Sequence, residues 1–504
     1  MSRQIARRLV AVALLLGVAA EMLLYRSSDG ISLDSIGVPI VIGLSLAAAW
    51  LARRPSGAID RLDYWIAPTA FACAVGVALR ADDWIVAADL GAALLLTIAA
   101  AVSFNGVALT RLTSTAAVGI GLRALVMVQI GATWIVRAAL PRRGPAPAAI
   151  GRGVPIARGL LLAFPVVLVF GLLFGAADAV FGRLAVNVLT LSVDLGDIPA
   201  RVVVALMFAW LAGGLVLVAA DESGMVRPLQ SLGAAARAPS LAWVGIGSVE
   251  ATVIVSVVGL LFAVFVGLQV AYLFGGVDTL AAAGMTYADY ARRGFLELVI
   301  ASLLSVGLVA ALDQTLVERS RWFTAAALGL LALTAAVLVS AAMRLRLYQE
   351  AYGWTELRFF VYASIAWLGL ALAATAFLIA RDRMGYLAHV LGAATVLVAV
   401  AANAIGPAAF VAGQNVDRAL DSSLVPAGGR TGLDVEYAGD LSDDAIPVLI
   451  AALPRLPAAQ RIPLEAALRA RWDRLRSDSA LSSPADWNLG RERAIDALRG
   501  AFGG

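Results

Sequence analysis

The sequence predicts an all-α protein: a polytopic transmembrane helix bundle of about eleven or twelve spans, followed by a small α-helical C-terminal soluble domain. Three observations carry this expectation. The 504 residues are 61% hydrophobic and only 15% charged, with a mean hydropathy of +0.86, whereas soluble domains carry about 25% charged residues. Apolar windows long enough to cross a hydrocarbon core of about 30 Å recur along the chain as far as Asn403. Beyond that point no apolar run is long enough to span, and Pro, Gly, Asp and Arg become frequent.

The same composition sets limits on function. The formal charge is +4, and every permanent positive side chain is arginine, because no lysine occurs. These arginines sit beside apolar runs and form no continuous basic stripe, which fits membrane topology and excludes a nucleic-acid partner. One cysteine, Cys73, excludes an intramolecular disulfide, and one histidine, His389, excludes a multi-histidine metal site; both lie in apolar runs and read as packed helix residues. No P-loop, Rossmann glycine pattern, HExxH or GxSxG elbow is present, so neither a cofactor nor a resident metal is expected. The acidic pair Asp82 and Asp83 is a weak signal for a metal or an acceptor-polarising loop.

Taken in order, residues 1–110 form an N-terminal four-span region, with apolar windows at about 9–25, 36–52, 65–79 and 84–103. The start, MSRQIARR, has the charge of a signal peptide but lacks a small-residue cleavage site, so a retained first span with a cytoplasmic N-terminus is expected. The second connector carries Arg53, Arg54 and Arg61, which the positive-inside rule places in the cytoplasm. Residues 111–158 comprise an interfacial amphipathic helix and a basic Pro/Arg-rich connector. Read as a span instead, this helix would bury Arg123 and export Arg142, Arg143, Arg152 and Arg158. Residues 159–405 hold seven further windows, at about 159–175, 201–220, 249–274, 294–312, 322–343, 359–380 and 386–405. The interfacial reading leaves the C-terminus outside, and the spanning alternative returns it to the cytoplasm.

Residues 406–504 form the soluble tail. Leu441–Leu453 predicts a helix capped by Asp444 with Pro447 in its first turn; Ile462–Leu475 predicts one starting at Pro463, with Leu464, Leu468, Trp472 and Leu475 on one face; a third follows Ser483.

Three motifs carry more polar chemistry than a connector requires. LLFGAADAVFGRL, Leu172–Leu184, places Asp178 just past a span. YADYARRGFLELV, Tyr287–Val299, puts Tyr290, Arg293 and Glu297 on one helix face, with Arg292 adjacent. RLRLYQEAYGWTELR, Arg344–Arg358, is a charged, aromatic island between two apolar runs, bearing Arg344, Arg346, Tyr348, Glu350, Tyr352, Glu356 and Arg358. An even number of spans separates each pair of motifs, so all three share one side of the membrane. Arginines so grouped can neutralise phosphate or carboxylate, whereas Tyr and Trp alone would form an ordinary interfacial belt.

These motifs, together with NAIGPAAFVAGQNVDRAL, LDVEYAGDLSDDAIPVL and DWNLGRERA, resemble bacterial polytopic membrane proteins grouped as domain of unknown function 4153/4173 over roughly residues 160–500. The resemblance implies an integral protein of the bacterial cytoplasmic (inner) membrane without assigning a reaction. Three readings stand. The leading one is a transporter-like or envelope-associated protein, not an enzyme, that binds an anionic small molecule or lipid headgroup at its extracytoplasmic face. The second is a membrane-embedded transferase acting on a lipid-linked substrate, with Asp178, Glu297, Glu350 or Glu356 as acid/base groups or metal ligands. The third is a scaffold or regulatory component whose tail docks a protein partner.

Overall fold

The computed structural model describes residues 3–26, 30–53, 59–112, 114–139, 198–220, 247–274, 295–316, 318–426, 429–477 and 484–503. Their regular structure is helical apart from a two-residue antiparallel pairing of Tyr25–Arg26 with Gly30–Ile31. In chain order the helices of the membrane part are α1 (Arg3–Leu24), α2 (Gly37–Ala52), α3 (Ile66–Leu79), α4 (Asp83–Phe104), α5 (Ser114–Ala139), α6 (Ile198–Ala220), α7 (Ser248–Phe274), α8 (Phe295–Asp313), α9 (Arg321–Tyr352), α10 (Glu356–Ala380) and α11 (Leu387–Ile405). The tail forms α12 (Pro407–Leu420), α13 (Val435–Asp440), α14 (Ile446–Ala452), α15 (Ala458–Ser477) and α16 (Leu489–Phe502).

Ten of the eleven apolar windows fall on described helices; the eleventh, about 159–175, lies outside the described residues. Seven described helices are long and apolar enough to cross a membrane. The chain is therefore a multi-pass membrane protein.

Two packed groups build the bundle. Helices α1 to α6 share one core of alanines and branched residues, including Ala49, Ala70, Ala93, Val77 and Val218. Helices α7 to α11 share another around Phe323, Leu330, Leu368 and Ile379. Small residues let backbones touch, as membrane helices require when water supplies no driving force. At the α5–α6 crossing a Cβ on Gly214 would lie 1.9 Å from the Val128 carbonyl oxygen. Polar residues at membrane depth are paired: Glu21 with Arg201 at 2.7 Å, Asp89 with Asn403, and Asp313 with Arg319.

The bundle has two distinguishable ends. At one, Leu9 near the start of α1 packs with Ala48 and Ala52 at the end of α2, and Asp63 accepts from Ser103 Oγ and the Leu109 and Thr110 amides at 3.2, 2.9 and 3.0 Å. Helix α5 follows this turn, and its last residue, Ala139, accepts from Arg7 Nε at 3.4 Å. Both ends of α5 thus lie at the end that holds the N-terminus. The tail covers the opposite end, where Ile85 of α4, Phe359 of α10 and Ala402 of α11 enter the tail's own core with Val411, Leu449, Leu464 and Leu498.

Several local expectations are corrected. The stretch Arg344–Arg358 is no connecting loop: α9 runs 32 residues to Tyr352, about 48 Å at 1.5 Å per residue, and projects well beyond a 30 Å core. Only Gly353, Trp354 and Thr355 separate it from α10. The described residues of the tail form five α-helices instead of three. Asp444 does not cap α14, whose preceding residue makes no side-chain cap; its carboxylate accepts the Ala81 amide at 3.0 Å instead. Pro447 does occupy the first turn. Helix α15 starts five residues before Pro463, which lies inside it, yet Leu464 and Leu468 still face the core with Trp472 and Leu475 against it. The helix expected after Ser483 is α16, capped by Asn488, whose side-chain oxygen accepts the Arg491 amide at 3.1 Å.

Candidate functional site

The projecting end of α9 and the start of α10 form one wall of a cleft, and the tail forms the other. Gly353 ends α9 with φ +81°, where an L side chain is strained, and a Cβ there would lie 2.8 Å from Asn415 Oδ1. That close approach lets Asn415 clamp the next residue: its Oδ1 accepts the Trp354 amide at 2.8 Å, and its Nδ2 donates to the Trp354 carbonyl at 2.9 Å. The Trp354 ring then packs edge-on to Phe410 of α12 at 5.0 Å. Thr355 starts α10 by accepting the Arg358 amide at 3.3 Å.

The cleft has a volume of about 290 Å³, near the lower bound for small-molecule sites. Arg358, Arg418 and Arg430 line it with the rings of Tyr348, Tyr352 and Tyr437; Asp434 is the carboxylate among its lining residues. Arg418, 9% exposed, donates to the carbonyls of Glu350, Ala351 and Arg430, the latter two at 3.5 and 3.3 Å. A guanidinium thus satisfies carbonyls left open at the α9 C-terminus, where the helix dipole is negative. Burial, then Arg358 nearby, lowers the proton affinity of Arg418, while Glu350 opposes this. Arg358 donates to the Gly353 carbonyl and stacks 4.3 Å over the Tyr348 ring. Arg430 pairs with Asp434 at 2.9 Å and is 64% exposed. The Tyr437 hydroxyl accepts the Glu356 amide at 2.9 Å, and burial raises its phenol above the ordinary value. Three guanidiniums against one carboxylate leave a positive cleft with planar donors, suited to an anionic oxygen group.

Of the sequence-predicted residues, Tyr348, Tyr352 and Arg358 line this cleft. Glu350 offers it only a backbone carbonyl, since its side chain pairs with Arg346 at 2.7 Å on the outer face of α9. Arg344 lies one turn further into α9 and is absent from the lining. Glu356 points instead to Asp82. Asp178, Tyr290, Arg292 and Arg293 lie outside the described residues, and Glu297 lies on α8 with only its backbone described. Among the described residues no group of three His, Cys, Asp or Glu side chains could hold a metal ion, Asp82 and Asp83 included.

Sequence reasoning missed Asn415, Arg418, Arg430, Asp434 and Tyr437. All but Arg430 lie inside the segments that carried the family resemblance, so the signal was present without a role attached. Other described residues of those segments, Asn488 and Arg491, fasten the tail to the bundle. Asn488, 2% exposed, donates to the carbonyls of Asp34, Val77 and Arg80 at 2.8, 3.2 and 2.7 Å. Arg491 pairs with Asp34 of the bundle, and within the tail Arg471 pairs with Asp443 at 2.8 Å. Burial acts to raise the Asp34 carboxyl, but Arg491 and Ser32 outweigh it and hold it below the ordinary value. Arg80 donates to the Asn403 carbonyl beside Gly406, whose φ of +70° ends α11.

No curated protein and no solved structure matches this chain. A family model described as "Domain of unknown function (DUF4153)" matches residues 67–452, beginning inside α3 and ending at α14, so the match starts earlier and stops sooner than the motifs alone indicated. That region takes in most of the bundle, the α9–α10 turn and the Asn415, Arg418 and Tyr437 wall of the cleft, and the chain belongs to this DUF4153 family.

Proposed function

We propose that this chain is a bacterial inner-membrane protein, transporter-like or envelope-associated, that binds the anionic group of a small molecule or lipid headgroup in the α9–tail cleft. The observation that carries the reading is the set of three guanidiniums around about 290 Å³ with one lining carboxylate. The orientation follows from charge. Arg7, Arg53, Arg61, Arg319, Arg381 and Arg383 belong to the N-terminal end, so the positive-inside rule favours a cytoplasmic N-terminus and an extracytoplasmic cleft. The two ends of α5 lie together at that basic end, with Arg123 exposed, which supports the interfacial reading and a count of about eleven spans. A transferase in this cleft is disfavoured, since its lining carboxylate, Asp434, is paired to arginine.

The test uses the full chain in lipid nanodiscs. Binding of glycerol phosphate from solution, and of phosphatidylglycerol against phosphatidylcholine in the disc, is measured for the wild type, Arg430→Gln and Arg358→Gln. The reading expects about tenfold weaker binding in each variant, a loss of about 1.4 kcal/mol. A response to only the soluble or only the lipid phosphate identifies the source of the anion. Equal affinity of all three proteins for both probes removes the basis for the reading.

A further inference from the structure

Outside the cleft, the starts of α4 and α10 meet the tail at a pair of carboxyl groups. Asp82 is 1% exposed and caps α4, its Oδ1 accepting the Trp84 and Ile85 amides at 3.0 and 3.2 Å. Its Oδ2 is buried and has no hydrogen-bond donor among the described residues. The Glu356 carboxyl, on the first residue of α10, lies within hydrogen-bonding contact of Asp82. Two carboxylates in contact, one buried and the other half-buried, repel each other, and such a pair ordinarily ionises only once until the second proton is forced off.

Among the described residues the surroundings supply no cation paired to these carboxyls. Asp83 from α4 and Asp444 from the tail add negative charge. Arg358 of α10 is engaged with the Gly353 carbonyl and the Tyr348 ring, and Arg80 before α4 with the Asn403 carbonyl. From the tail, Tyr437 uses its hydroxyl oxygen to accept the Glu356 amide, and the Ala408 amide at the start of α12 faces Asp82.

We propose that Asp82 and Glu356 form a proton-binding site, one proton bridging the two carboxyl groups and giving Asp82 Oδ2 its donor, so that proton occupancy holds the tail against the starts of α4 and α10. Loss of that proton places two negative charges face to face beneath the tail and loosens the seam next to Thr355, which lines the cleft. The site is independent of what the cleft binds. Burial raises the Asp82 carboxyl above its ordinary 3.8, which gives the sign. A carboxyl raised in the folded chain contributes stability that is complete below its unfolded value and is lost as pH rises through the folded one.

Two measurements on the full chain in nanodiscs test this. Infrared difference spectra across a pH titration should show a protonated carboxyl band that disappears as pH rises. That band should be absent in Glu356→Gln and Asp82→Asn and retained in Asp83→Asn. Thermal melts should show the wild type losing several degrees over the same pH range, while Glu356→Gln, whose amide donates permanently to Asp82 Oδ2, stays level. If Glu356→Gln does not fold, Glu356→Asp replaces it and should shift the band. A band unchanged in both carboxyl variants, no band in the wild type, or a transition that follows sodium concentration instead of pH overturns the proposal.

Discussion

The two ends of the bundle solve the same problem with different parts of the chain. A membrane helix that ends under protein leaves carbonyls and amides that water cannot reach. At the N-terminal end the partners come from the bundle itself: Asn105 donates to the Val218 carbonyl at 2.8 Å, Arg319 to Ile379 at 3.3 Å, and Asp63 takes the α4–α5 turn. At the opposite end the tail supplies most of them. Asn488 serves the end of α3, Arg418 the end of α9, and Asp444 the start of α4, while Arg80 of the bundle serves the end of α11. The difference teaches that the tail is part of the membrane fold's hydrogen-bond accounting, not an appended domain.

That contrast can be broken most severely at Asn488. Asn488→Ala leaves one buried and two part-buried carbonyls without their donor and removes the α16 cap, so stability in detergent should fall by about 2–4 kcal/mol; a loss under 1 kcal/mol would show that the tail does not satisfy the α3 end. Arg418→Ala should cost about 2–4 kcal/mol in the same assay, and Arg418→Lys should recover little of it, since one ammonium cannot serve three carbonyls in the guanidinium plane. Gly353→Ala should cost about 1–2 kcal/mol, from positive φ and the approach of Asn415, with fluorescence of Trp354 reporting the shift. Acid sharpens the comparison further. Asp34 is held low by Arg491, so its contribution is present above 3.8 and is lost as pH falls through its folded value. Arg491→Gln should therefore lower stability at neutral and alkaline pH alike and flatten the acid limb of a stability profile, since less is left to lose as pH falls. Smallest of all, Arg499→Ala breaks only an exposed i,i+3 pair with Asp496 and should change stability by less than about 0.5 kcal/mol.

The helices of the bundle were legible because span length and apolar composition are local properties, visible window by window. The density of Arg and Tyr in Arg344–Arg358 also marked a site, and Tyr348, Tyr352 and Arg358 are among its six residues that line the cleft. Their partners were not legible. Nothing near Asn488 says that its amide reaches carbonyls at Asp34, Val77 and Arg80, more than four hundred residues away, because an Asn before a helix reads equally well as a simple cap. Asp444 was misread for the same reason: a local cap was inferred where the carboxylate serves a distant amide. The helical reach of α9 is hidden in the sequence because the apolar window ends near Met343, and the charged residues beyond it mark only the helix's exit from the apolar core.

The most direct test is a cross-link between the tail and the α3–α4 turn. A Cβ placed on Gly490 would lie 3.1 Å from the Ala81 Cβ, with Asp444 Oδ1 at 2.3 Å and the Ala81 amide nitrogen at 2.9 Å, so a disulfide there forms only once Asp444 gives way and the two backbones move apart by a few tenths of an ångström. In a Cys73→Ser background, Ala81→Cys with Gly490→Cys should oxidise to a species with no alkylatable thiol and an altered mobility that reductant reverses. Two freely alkylated thiols under the same oxidation, in a protein that still melts cooperatively, would contradict the docking of the tail on which the account rests.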